Sequence, residues 1–177
     1  VLRHEIDERI RAHAHPLLAR ERSCRAYGGE PQTEPHGDPW PETVRADFTD
    51  VDVGIARTQP RYDNGDEVRE AETLFVDSIE LAEREIYIEN QFLSSRLIAD
   101  RLAERLRRRP ELQAVIVAPR THDSWVERHT MRNGRIRFWR RVRDAGGDRV
   151  RLVYPAVEQG GHTTDTMIHS KVMVVDD

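Results

Sequence analysis

The run Ala114-Val115-Ile116-Val117-Ala118 contains only apolar residues and ends at Pro119. A short apolar run that stops at a proline is typical of a strand buried within a sheet. A second run of this kind, Val172-Met173-Val174-Val175, lies near the end of the chain. Strands that are covered on both faces lose the alternation of polar and apolar residues, so the two runs predict a sheet with helices on both faces.

The segments around these runs predict helices that alternate with strands. Apolar residues at helical spacing predict helices over 66–84, 96–109 and 124–144. Asn64, with Glu67 three residues later, predicts a capping box at the start of the first helix. Further strands are predicted over 51–57, 86–88, 150–154 and 167–175. This order predicts an α/β fold whose mixed, largely parallel sheet is sandwiched by helices on both faces.

The first 50 residues differ from the rest of the chain. Residues 1–25 contain a short helical pattern that is interrupted by Pro16, and residues 27–50 are rich in proline and glycine. We therefore expect a helix and a linker over 1–50 and the main domain over 51–177.

The composition suits one domain with a core and narrows the function classes. The chain has 177 residues, is 37% hydrophobic and carries a net charge of −4, which does not favour nucleic acid as a partner. Cys24 is the only cysteine, so an internal disulfide and a cysteine metal cluster are excluded. We find neither a signal peptide nor an apolar run of the roughly 20 residues that span a bilayer. A cytoplasmic or membrane-peripheral location is expected, although the compartment itself is not determined.

The cations of the chain are almost all arginine, with 27 arginines and the single lysine Lys171. A compact ammonium differs from a planar guanidinium, so a lysine retained in this background indicates a site that arginine cannot fill. His169 lies two residues before it, and alternate residues of a strand share one face. An imidazole beside an ammonium suits a phosphodiester, because the first can attack phosphorus or protonate a leaving oxygen and the second stabilises the charged oxygens.

Asp176 lies seven residues after His169, an odd separation that places it on the opposite face of a regular strand. We therefore expect it to anchor the strand end or a neighbouring backbone segment, and we expect another carboxylate to orient His169.

The string His169-x-Lys171-x4-Asp176 resembles the signature of the phospholipase D superfamily. The segment Ile86-Tyr87-Ile88-Glu89-Asn90-Gln91-Phe92 resembles the one that precedes the second signature in phospholipase D proper. Val53-Gly54-Ile55-Ala56-Arg57-Thr58 also resembles the opening of the second half of such enzymes. The similarity covers about residues 38–177.

The resemblance implies phosphodiester chemistry that needs neither a metal nor a cofactor. One histidine forms a phosphohistidine intermediate, and the other, which matches His169, protonates the departing alcohol. Water or another alcohol then takes the phosphatidyl group. The signature implies that Lys171 binds phosphate oxygens and that Asp176 belongs to the catalytic set. Asn90 and Gln91 are candidate substrate-binding residues.

The resemblance also implies that the active site needs a second signature, which this chain does not contain. The family combines two signatures in one active site, whereas this chain has one lysine and hence one His-x-Lys. Residues 1–50 would be the tail of a preceding half-domain, and 51–177 a C-terminal half-domain incomplete at its end. The expected partners are a phospholipid substrate, a membrane surface and a second signature. A cardiolipin-synthase-like transferase, a nuclease of the superfamily and an inactive lipid- or protein-binding module remain alternatives.

Three weaker signals remain. His13 and His15 suggest a metal pair without a third ligand at a suitable spacing. Residues 162–165 predict a loop at the pocket mouth or a solvated loop. Seven arginines between Arg128 and Arg143 predict either a patch for anionic lipid or nucleic acid, or a solvated helix face.

Overall fold

The protein is described by a computed structural model over residues 43, 45, 47–49, 52–61, 65–120 and 125–176. The chain divides into two compact units at Ala71 and Glu72. The first 42 residues, with their predicted helix and most of the linker, lie outside the described residues, as do Asn64 and the histidine pair.

The first unit contains a small antiparallel pair of strands, β1 (Thr58–Gln59) and β2 (Val68–Arg69). The strand predicted over 51–57 is wrong for residues 52–57, which have no regular structure. The helix predicted from residue 66 begins later, because α1 spans Glu70–Leu81 and β2 precedes it. Arg57 explains the later start: its backbone N–H and its guanidinium both donate to the Glu70 carboxylate, at 2.9 Å and 2.6 Å.

The second unit is built on a four-stranded sheet of β3 (Glu85–Asn90), β4 (Gln113–Val117), β5 (Val150–Val153) and β8 (Lys171–Val175). Their order across the sheet is β5-β4-β3-β8. β3, β4 and β5 run parallel, and β8 pairs antiparallel with β3. The prediction of an α/β fold with a mixed, largely parallel sheet is therefore confirmed.

Two helices, α2 (Arg96–Arg108) and α3 (Trp125–Gly146), are close to their predicted positions. A 3-10 helix, Gly147–Arg149, follows α3. Alternate strand residues such as Ile86, Ile88 and Ile116 are buried and form one core with both helices. Burial of this apolar face stabilises the unit and fixes which strand residues point away from the helices.

The opposite face of the sheet is open at several apolar positions. Val115, Val153, Val172 and Val174 are 37%, 40%, 42% and 41% exposed. These positions are therefore not buried as fully as the apolar sequence of β4 and β8 predicts.

The segment between β5 and β8, for which the sequence predicts a loop, contains a hairpin. β6 (Ala156–Gln159) and β7 (His162–Asp165) pair antiparallel around Gly160 and Gly161. These two glycines have φ values of 59° and 80°, which glycine adopts without strain. The final strand, predicted over 167–175, begins only at Lys171.

Candidate phosphodiester site

All of the candidate residues except Asp176 lie near the place where the parallel strands end. β3 ends at Asn90, and the antiparallel β8 begins at Lys171, which is the register partner of Asn90. The sheet thereby joins two segments that are 81 positions apart in the sequence. Ligands of α/β proteins commonly bind beyond the carboxyl ends of parallel strands, so the location suits a binding site.

The Lys171 ammonium is held by neutral oxygens. Its Nζ donates to Oε1 of Gln91 at 3.1 Å and to the backbone oxygen of His169 at 3.0 Å. It also lies 5.8 Å from the centre of the Phe92 ring, within the range of a cation–π contact. Among the described residues no carboxylate pairs with this ammonium, so its positive charge remains available to an anion.

His169 lies in the segment before β8, because the strand begins at Lys171. The prediction that both residues belong to one regular strand is therefore wrong for His169. Its side chain is exposed and makes no hydrogen bond within the described part of the chain. The two residues are nevertheless joined, because the Lys171 ammonium binds the His169 carbonyl.

Ser170 lies between His169 and Lys171, and it is anchored by a residue on the sheet face that points away from the core. Its hydroxyl donates to Oε2 of Glu89 at 2.5 Å, and the Tyr87 hydroxyl donates to Oε1 of the same carboxylate. These hydrogen bonds, from Ser170 first and Tyr87 second, outweigh desolvation and lower the pKa of Glu89. The hydrogen bond to Glu89 in turn raises the pKa of Tyr87. Glu89 thus positions the backbone that carries His169 and Lys171.

The last two residues of β3 and Gln91, which follows the strand, make different contacts. Glu89 binds Ser170, while Oδ1 of Asn90 accepts the backbone N–H of Phe92 at 2.8 Å and shapes the turn that leaves the strand. Gln91 is only 6% exposed and places its amide oxygen against Lys171. Of the two predicted substrate-binding residues, Gln91 contacts the signature lysine and Asn90 contacts its own loop.

Arg135 of α3 supports this edge from the helix side. Its guanidinium donates to the backbone oxygens of Pro119 at 2.7 Å and of Gln91 at 3.3 Å, thereby joining the ends of β4 and β3. Its Nε is buried without a hydrogen-bond partner in the described structure, and burial lowers the pKa of Arg135. In the sequence Arg135 is one member of a basic run, and nothing in its spacing distinguishes it from the neighbouring arginines.

Asp176 lies at the other end of β8, where it binds backbone rather than His169. Its carboxylate accepts the backbone N–H groups of Glu83, Arg84 and Glu85 at 2.6, 2.7 and 2.9 Å. Asp176 lies six positions after Ser170, with the five residues of β8 between them, or about 20 Å away at 3.3 Å per residue. The geometry therefore supports the anchoring role inferred from the spacing, and it does not place Asp176 beside the imidazole.

The Asp176 anchor predicts a pH-dependent contribution to stability. Burial raises the pKa of this carboxyl, but the hydrogen bonds from Glu85, Arg84 and Glu83 outweigh it and the net pKa is lowered. Asp176→Ala should lower the free energy of unfolding by about 2 kcal/mol at pH 7. Because the folded pKa is depressed, this difference is complete above the unfolded pKa of about 3.9 and disappears as pH falls through the folded pKa.

Urea unfolding of both proteins between pH 7 and pH 2.5 measures this difference. Asp176 has a φ of 52°, so Asp176→Gly is the second variant, which removes the carboxylate without straining the backbone. Asp144→Ala, at an exposed position of α3, is the matched control. Wild-type stability in both Asp176 variants at pH 7 would contradict the anchor.

The remaining candidates lie elsewhere. Asp165 of β7 pairs with Arg120 at 3.4 Å, and the Arg120 guanidinium lies 5.2 Å from the centre of the Tyr154 ring. Among the described residues, no three His, Cys, Asp or Glu side chains are grouped as metal ligands. None of the described helices combines the length and the apolar character that a bilayer span requires.

Comparison with known proteins adds no relative. No protein-family model matches the chain, and no curated protein matches it either.

Proposed function

We propose that this chain supplies one catalytic signature of a phospholipase D-like phosphodiesterase, which hydrolyses phospholipids or transfers their phosphatidyl group. The observation that carries the proposal is the Lys171 ammonium, held by neutral oxygens beside His169 at the carboxyl edge of the parallel strands. An unneutralised ammonium at this place attracts a phosphate oxygen, and the exposed imidazole of His169, whose backbone oxygen the ammonium contacts, can exchange a proton with the departing group.

The proposed chemistry has two steps. A second histidine attacks phosphorus while the His169 imidazolium gives its proton to the leaving alkoxide, so that an alcohol departs and a phosphohistidine forms. Neutral His169 then takes a proton from water or from an acceptor alcohol, whose oxygen displaces the phosphohistidine. Lys171 stabilises the non-bridging oxygens in both steps. The chain contains one His-x-Lys, so the second set must come from another segment or another subunit.

The complete gene product, incubated with phosphatidylcholine vesicles, tests the proposal. We expect choline release that is insensitive to EDTA, because no step is assigned to a metal. In the presence of ethanol, the appearance of phosphatidylethanol would indicate transfer. Cleavage of DNA but not of lipid would favour a nuclease. Binding of vesicles without turnover would favour an inactive module, which the single His-x-Lys of this chain also suits.

A further inference from the structure

A groove of about 510 Å³ lies between the start of α2 and the face of α3. Its walls include Ser94, Arg96 and Arg137, and its floor includes the buried side chains of Ala99 and Phe138. None of the signature residues or the candidate substrate-binding residues lines it. The volume lies within the usual range for small-ligand pockets.

Close approach of the two segments forms one wall of this groove. A Cβ at Gly134 would lie 2.8 Å from the Cβ of Ser94, closer than the two atoms can pack. Only glycine at this position of α3 lets the segment before α2 approach so closely. The Ser95 hydroxyl, which accepts the N–H of Ile98 at 3.4 Å, is already used as the helix cap.

The groove has an excess of positive charge. Three arginines line it, and Asp100 is the one carboxylate among the lining residues. Asp100 contacts Arg141 at 2.7 Å, which orients that guanidinium, and it lies 3.6 Å from the almost fully exposed Arg96 side chain. Arg137 has no carboxylate partner in the described part of the chain. It lies four positions before Arg141 on α3, so the two side chains emerge on the same side of the helix.

We propose that this groove binds a phosphate monoester, with Arg137 as its principal ligand. A phosphate dianion matches the excess of two positive charges, and the planar fork of a guanidinium binds two phosphate oxygens at once. Arg141, held by Asp100, supplies a second guanidinium. The same phosphate chemistry occurs in soluble phosphate esters and in the head group of phosphatidic acid. The proposal does not depend on the phosphodiesterase activity, because the two sets of residues do not overlap.

Calorimetric titration of the 177-residue chain with glycerol 3-phosphate tests the site, and flotation with vesicles of phosphatidic acid or phosphatidylcholine distinguishes the sources. We expect Arg137→Gln to raise the dissociation constant of the preferred probe at least about tenfold. The matched control is Arg140→Gln, which removes the same charge from an exposed position outside the groove and should change the constant less than twofold. Circular dichroism checks that both variants fold.

Three outcomes support the site. Binding is weakened in Arg137→Gln but not in Arg140→Gln for the soluble ester alone, for phosphatidic acid alone, or for both probes. The first points to a soluble ligand, the second to a membrane surface and the third to the phosphate group itself. Two outcomes overturn it. One is the absence of binding to either probe, and the other is equal weakening by both variants, since only general charge would then be involved.

Discussion

Replacement of His169 by Asn should reduce choline release by the complete gene product about 1,000-fold, since general acid–base catalysis contributes 10²- to 10⁴-fold. The amide keeps polarity but cannot deliver a proton to the leaving oxygen. The His169 side chain is exposed and has no hydrogen bond within the described part of the chain, so the thermal midpoint should stay close to that of the wild type. Initial rates on phosphatidylcholine vesicles, with thermal unfolding in parallel, measure both quantities.

His162→Asn is the matched control for this experiment. His162 is also an exposed histidine, but it lies on β7. This variant should retain at least half of the activity. Wild-type turnover in His169→Asn would refute the proton-transfer role, and an equal loss in both variants would show that the effect is not specific to His169.

Replacement of Lys171 by Arg should lower turnover about 100-fold, although the charge is preserved. Removal of one hydrogen-bond donor from an oxyanion site typically lowers turnover by a similar factor. The ammonium fits between the amide oxygen of Gln91 at 3.1 Å and the backbone oxygen of His169 at 3.0 Å. A guanidinium is longer and planar, so it cannot reproduce this fit and still direct a donor to the phosphate. Rates measured across substrate concentrations separate lost binding from lost turnover.

Lys171→Met, which keeps an apolar stem without the charge, serves as the reference for complete loss. We expect the Arg variant to fall close to the Met variant. If the Arg variant were as active as the wild type, the single lysine of the chain would carry no special role, and the inference from its retention would be wrong.

The sequence predicts the second unit well where hydrophobic patterning dominates. The apolar run at 114–118 corresponds to β4, and the helical pattern at 96–109 corresponds to α2. It fails where tertiary contacts decide, as at the start of α1, which follows from the pairing of Arg57 with Glu70 thirteen residues later. The β6–β7 hairpin is also missed, because the β7 sequence His-Thr-Thr-Asp has no alternating apolar residues.

The candidate site is also predictable from the sequence only in part. Residue types and spacing suffice to identify His169 and Lys171 as candidates. The odd separation of Asp176 from His169 also predicts that the two lie on opposite faces of the strand. The role of Glu89 depends on strand register, because Ser170 is 81 residues away along the chain and reaches it only when β8 pairs with β3. Arg135 is indistinguishable in sequence from six other arginines between 128 and 143. Its function follows only from the two strand ends that its guanidinium joins.

Nuclear magnetic resonance of the 177-residue chain during titration with inorganic phosphate tests most directly whether the imidazole and the ammonium hold one phosphoryl group. Because the chain has one lysine, labelled lysine gives a single side-chain signal, and among the signals of the eight labelled histidines the one that is lost in His169→Asn reports on His169. The account predicts that both signals shift with the same dissociation constant and that Lys171→Met abolishes the shift at His169. Signals that stay unchanged, or that saturate at different phosphate concentrations, would contradict it.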